Sequence, residues 1–97
     1  MATYIALATF TEQGLRTVKD TVKRADAVRE SAPKYGVKVR DVFWTQGPND
    51  VVLLCEAPDD ATASAFTLAV ASAGNVRCQT LRAFTRDEMD AILRKVV

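Results

Sequence analysis

The 97-residue sequence predicts an α+β fold: one antiparallel sheet in the order β-α-β-β-α-β, helices on one of its faces, and a further helix at the end. Three observations carry this. Two β-prone runs, residues 37–45 and 51–57, flank the turn formers Gly47-Pro48-Asn49-Asp50. Two segments with helical character, around residues 18–32 and 61–73, separate the strands. Thr85-Arg86-Asp87-Glu88 has the form of a capping box, ahead of a stripe of Met89, Ile92, Leu93 and Val96.

Each element has its own reason. Residues 3–10 are apolar, β-prone and free of charge on both faces, as a central strand requires. Thr11 can cap a short helical turn at Glu12, which Gly14 weakens. Val18, Val22, Ala25, Val28 and Ala32 then recur at spacings of three and four. Lys19, Asp20, Lys23, Arg24, Asp26 and Glu30 form the opposite, solvated face. Pro33 ends or kinks this helix, and Gly36 permits the turn into the next strand. Lys38, Arg40 and Asp41 make the second strand polar at its start, as suits an edge. The loop Pro presets φ, and Asn49 tolerates left-handed geometry at the third turn position.

Val51-Val52-Leu53-Leu54-Cys55 is apolar on both faces and predicts a central third strand. Asp59 or Asp60 caps the second long helix, and Gly74 with Asn75 closes it. That helix is rich in alanine and carries no charge after its cap, which predicts burial on more than one side. Residues 75–84 form the fourth strand. The plan is ferredoxin-like, with expected strand order 4-1-3-2. Its helices cover one sheet face, yet strands one and three are apolar on both. A second copy packed sheet to sheet is the simplest cover, so a homodimer is expected.

Composition narrows the function. The chain reads as one domain over residues 1–97. Thirteen basic against twelve acidic residues leave a net charge of +1, which gives nucleic acid and anionic membranes nothing to grip. There are no histidines, so Ser-His-Asp and Cys-His catalysis and histidine-ligated metals are excluded. No phosphate loop, nucleotide fingerprint or metal spacing appears, and no cofactor is expected. No stretch is long enough to span a bilayer, and no signal-peptide pattern opens the chain, so a cytoplasmic location is expected. Cys55 and Cys78 read as small buried hydrophobes rather than a disulfide.

Most of the chain resembles the GYD domain family, small bacterial proteins of the dimeric α/β-barrel superfamily. The resemblance rests on Tyr4-Ile5-Ala6-Leu7, Phe10-Thr11-Glu12-Gln13-Gly14-Leu15-Arg16 and Lys19-Asp20-Thr21-Val22-Lys23-Arg24 in the first third. Trp44-Thr45-Gln46-Gly47, Asp50 and Glu56-Ala57-Pro58-Asp59-Asp60 follow. Gly74-Asn75-Val76-Arg77, Thr80-Leu81-Arg82-Ala83-Phe84 and Glu88-Met89 complete it. Pro33 departs from the smoother helix of the family. Asn49 stands where the family carries the Tyr of its naming motif, so no role of that ring or hydroxyl transfers to this chain. The resemblance implies the ferredoxin-like fold and dimerisation; the family has no settled activity.

Five residues stand out as ligand-binding candidates. Glu56 is a carboxylate on an apolar strand, where burial and a nearby Arg act on its pKa in opposite senses. It is expected to pair with Arg40, Arg77 or Arg82, or to lie near the strand end in water; for Arg82 itself, pairing with Glu56 is preferred. Arg82 alternatively clamps an anion. Asp50 and Asn49 serve the loop backbone more simply than chemistry. Trp44 lines a pocket or the dimer interface, or simply packs. The preferred reading is a homodimeric small-molecule-binding or structural module with no catalytic residue and no metal. The alternatives are a metal-free, cofactor-independent oxygenase- or isomerase-like enzyme with Glu56 or Asp50 as base, and a protein-interaction module.

Overall fold

A computed structural model describes residues 1–97. Strand β1 (Ala2–Phe10) leads through Thr11 into helix α1 (Glu12–Arg16). The Thr11 hydroxyl accepts the Gly14 amide at 3.1 Å, which fixes the first turn. A 3-10 turn (Val18–Asp20) precedes helix α2 (Thr21–Ser31), and a second one (Ala32–Tyr35) contains Pro33. The α-helix thus stops just ahead of Pro33, and Gly36 takes the left-handed φ of 75° that ends the segment.

Strands β2 (Lys38–Trp44) and β3 (Val51–Ala57) form the hairpin, helix α3 spans Asp60–Ser72, β4 Val76–Ala83 and α4 Arg86–Leu93. The left-handed residue of the hairpin loop is Gly47 (φ 101°), not Asn49 as expected; glycine meets no Cβ penalty there. Asp59 caps α3 by accepting the Thr62 amide at 2.7 Å. The Thr85–Glu88 capping box forms in both directions, at 3.2 Å and 3.0 Å.

The sheet is antiparallel throughout, in the order β2-β3-β1-β4, which from the other edge reads 4-1-3-2. One face carries Tyr4, Ala6 and Ala8 of β1 and Val51, Leu53, Cys55 and Ala57 of β3, all buried under the helices. Phe66 of α3, 1% exposed, is the largest fully buried side chain and is worth about 2–3 kcal/mol as a hydrophobic anchor. The Thr67 hydroxyl shares a 2.8 Å hydrogen bond with that of Thr80, so the one buried polar residue of α3 is satisfied against β4.

Two helical expectations change. Helix α3 buries Ala63, Phe66 and Thr67, but Leu68 is 70% exposed, so burial is on one side only. No element of the chain packs on its outer side. In α2 no residue is buried, and Val18 and Val22 of the expected stripe face solvent. The 3-10 turn before Thr21 interrupts the helical phase, which takes Val18 out of the stripe, whereas Val22 is exposed within α2 itself.

Candidate functional site

Three places in the fold bring functional groups together. The first is the open face of the sheet. Side chains alternate along a strand, so Ile5 and Leu7 of β1, Val52 and Leu54 of β3, and Leu81 of β4 turn away from the helices. The registers align them: Ile5 lies between Leu54 and Leu81, and Leu7 between Val52 and Gln79. Phe43 of β2 extends the row beside Val52 and is 57% exposed. Glu56 lies on this same face, beside Thr3, and pairs with Arg40 at 3.0 Å.

The expected pairing of Glu56 with Arg82 does not form. Arg82 stands opposite Tyr4, whereas Glu56 stands opposite Thr3. Adjacent residues of β1 face opposite ways, so the two side chains are on opposite sides of the sheet. No pocket can hold both.

The second place is the cluster around Arg82 at the β3–α3 end. Arg82 donates to the Glu88 carboxylate at 2.9 Å, and its guanidinium lies 4.7 Å from the Phe84 ring centre and 5.7 Å from that of Tyr4. The Tyr4 hydroxyl donates to Asp60 Oδ1 at 2.5 Å. That hydrogen bond, with burial, raises the Tyr4 pKa. The Arg82 hydrogen bond and the Thr85 amide hold the Glu88 carboxyl at about 2, against an ordinary 4.5. Every charge in the cluster has a partner, so it joins β1, α3, β4 and α4 as a latch.

The third place is a cavity of about 240 Å³ between α2 and the sheet. Its floor is Ala8, Phe10, Leu53 and Cys78, its roof Ala25 and Val28, and Val70 of α3 closes one side. Eleven of its 14 lining residues are apolar; the other three are Thr21, Arg24 and Asn75. These gather at one end. Thr21 and Arg24 are in the first turn of α2, and Asn75 immediately precedes β4. Arg24 Nη1 donates to the carbonyl and hydroxyl oxygens of Thr17, both at 2.8 Å, and Nη2 to the Gly14 carbonyl at 3.2 Å. No carboxylate pairs with it.

Trp44, expected at a pocket or in packing, stands at the edge of this third place. Its indole N–H donates to the Thr21 hydroxyl at 3.0 Å. Asp50 accepts the Phe10 amide at 2.8 Å through Oδ2, and its own amide donates to the Ala8 carbonyl at 2.9 Å. The Asn49 carbonyl accepts the Thr45 hydroxyl at 2.7 Å. The Asp50 side chain therefore serves the backbone, and Asn49 takes part in the loop through its main-chain carbonyl.

Cys55 and Cys78 are free thiols on strands separated by β1, opposite Tyr4 and Ala8 respectively. Burial pushes Cys55 up to about 11 and raises Cys78, which keeps both protonated. No three acidic or cysteine side chains converge as a metal site would need.

Arg24 reads from the sequence as part of a solvated face. The available signal is its place in the Lys19–Arg24 segment that carries the family resemblance. Tyr4 and Asp60 give no signal, because their contact spans 56 positions of chain.

These features define a small α+β, ferredoxin-like module with one sheet face uncovered. The chain belongs to the GYD domain family, whose match covers residues 4–93. It is 34% identical over 95 residues to the "Glutamine synthetase and cystathionine beta-lyase binding protein" of Thermus thermophilus, covering 97% of this chain and all of that one. Two crystal structures share the fold. MtbAldR (Rv2779c) matches with TM-score 0.67 at 14% identity, over 88% of this chain and 52% of that chain, about half its length. TTHA0845 from Thermus thermophilus matches with TM-score 0.57 at 24% identity, over 88% of this chain and 95% of that one. No helix is long and apolar enough to cross a membrane.

Proposed function

We propose that this protein is a small bacterial, cytoplasmic homodimer that acts as a binding module for metabolic enzymes. The observation that carries this is the open sheet face of Ile5, Leu7, Phe43, Val52, Leu54 and Leu81, which no element of the chain covers. A contiguous apolar face of this kind marks an interface. A second copy offers the complementary surface, since a two-fold interface is self-complementary. In that dimer Glu56 and Arg40 form a charged rim beside the apolar rows. Dimerisation leaves the stripe of Met89 and Leu93 on α4 exposed, with Phe84 beside it, as a surface for another protein.

The partner class is supported by the relative from Thermus thermophilus, named for binding glutamine synthetase and cystathionine beta-lyase. The enzyme reading draws no support from the geometry: Glu56 and Arg82 face opposite ways, and Asp50 is engaged by the backbone.

The test immobilises the protein and presents purified glutamine synthetase and cystathionine β-lyase from the same bacterium. Saturable binding to either with a Kd of about 10 μM or tighter is expected. No saturation with either enzyme up to about 100 μM overturns the partner assignment. Native mass spectrometry in parallel should show twice the 10.6 kDa subunit mass; the 10.6 kDa species alone overturns the dimer.

A further inference from the structure

We propose that the cavity between α2 and the sheet is a binding site for a small monocarboxylate with an apolar body, its carboxylate held by Arg24. The site lies on the helix side of the sheet, away from the open face, so it stands or falls independently of the dimer and its partners.

The volume sets the size. At about 240 Å³ the site falls just below the range of pockets that take drug-sized ligands, which suits a smaller molecule. The walls set the body. Ala8, Phe10, Val28, Leu53 and Val70 offer no hydrogen bond, so the enclosed part must be hydrocarbon.

The polar end sets the head group. Arg24 has five N–H donors, and its three hydrogen bonds go to neutral oxygens of Thr17 and Gly14. The unused donors are Nε–H and one hydrogen of Nη2. Nε and Nη2 share one edge of the guanidinium, so these two nitrogens can receive the two oxygens of a carboxylate. Its positive charge is half-buried and has no acidic partner in the chain.

The other two polar lining residues also have donors to give. The Asn75 amide oxygen accepts from Gln13 at 3.1 Å, while its NH₂ donates to no other residue. The Thr21 hydroxyl already accepts from Trp44, so its own hydrogen is available. Unused donors at one end, with hydrocarbon walls beyond, select an anion attached to an apolar body. No acidic residue lines the cavity to repel it.

The experiment uses the intact protein with octanoate and its neutral counterpart octanamide. Calorimetry gives the affinity. Trp44, the one tryptophan of the chain, reports occupancy through its link to Thr21. Octanoate should bind saturably, about tenfold or more tighter than octanamide, since a charge-assisted pair with Arg24 forms only with the acid. Arg24→Gln should cut octanoate affinity by about tenfold and leave octanamide unchanged. The wild-type comparison decides the matter even if that variant fails to fold. Equal affinity for acid and amide, or no saturable octanoate response up to about 5 mM, overturns the site.

Discussion

Glu88 shows how much one side chain can hold in a shallow fold. Its carboxylate caps its own helix, accepting the Thr85 amide at 3.0 Å, and receives Arg82 of β4 at 2.9 Å. Both contacts favour the charged form and bring its pKa from 4.5 to about 2. A carboxyl depressed in the folded state stabilises above its unfolded pKa, and that contribution disappears as pH falls through the folded one. Melting temperature should therefore decline between pH 4.5 and about 2 partly on account of Glu88. Glu88→Gln should lower the melting temperature at pH 7 and flatten that decline, as followed by circular dichroism. An unchanged slope in the variant would remove Glu88 from the acid response. The capping half of this arrangement was legible in Thr85-Arg86-Asp87-Glu88, because capping is local. The Arg82 half was not, since which of several carboxylates meets a strand Arg depends on the face to which it points.

Helices and strands were largely readable one by one, and their packing was not. The two-faced apolar run over residues 51–55, the cap at Asp59 or Asp60 and the break at Pro33 each depend on neighbours within a few residues. The cavity beneath α2 depends on how far that helix stands from the sheet, a quantity no periodicity encodes. The corner between β1 and α1 is a similar case. Gly14 packs so tightly that a Cβ there would lie 2.0 Å from the Asn75 carbonyl oxygen. That oxygen already accepts the Thr11 amide at 3.0 Å, and Gln13 bonds the Ala73 carbonyl at 3.1 Å, so the α3–β4 turn is tied down against it. Alanine normally favours a helix over glycine by about 1 kcal/mol. At this position the clash outweighs that gain. Gly14→Ala should destabilise by about 1–3 kcal/mol in urea unfolding, with an unchanged m-value. A stabilised variant would mean that the corner opens freely.

At the scale of the whole molecule the chain is a slab, 51 × 31 × 18 Å, with one helical layer on one sheet. The sequence pointed to this imbalance, since β1 and β3 are apolar on both faces while helices suffice for one. It could not say which residues face outward, and the register now assigns Ile5, Leu54 and Leu81 to the middle row. A stable pairing typically buries about 800 Å² per partner. A charge in that row would have to be buried without a partner, at a cost of several kcal/mol. Leu54→Lys should therefore give a monomer in light scattering at micromolar concentration while far-ultraviolet dichroism stays unchanged. A dimer that survives this substitution would place the interface elsewhere.

The register shift between Val39 and Asp41 governs how far such association can go. Arg40 stands out of the ladder at an outer strand of the sheet, and its carbonyl is occupied by the Arg29 guanidinium at 2.6 Å. Lys38 and Asp41 flank it with charge. A foreign strand laid along β2 would meet an interrupted row of donors and acceptors, and fixed charges beside it. Growth strand by strand is thereby discouraged at this edge. In the proposed dimer the apolar faces stack about a two-fold axis, an arrangement that closes after two copies.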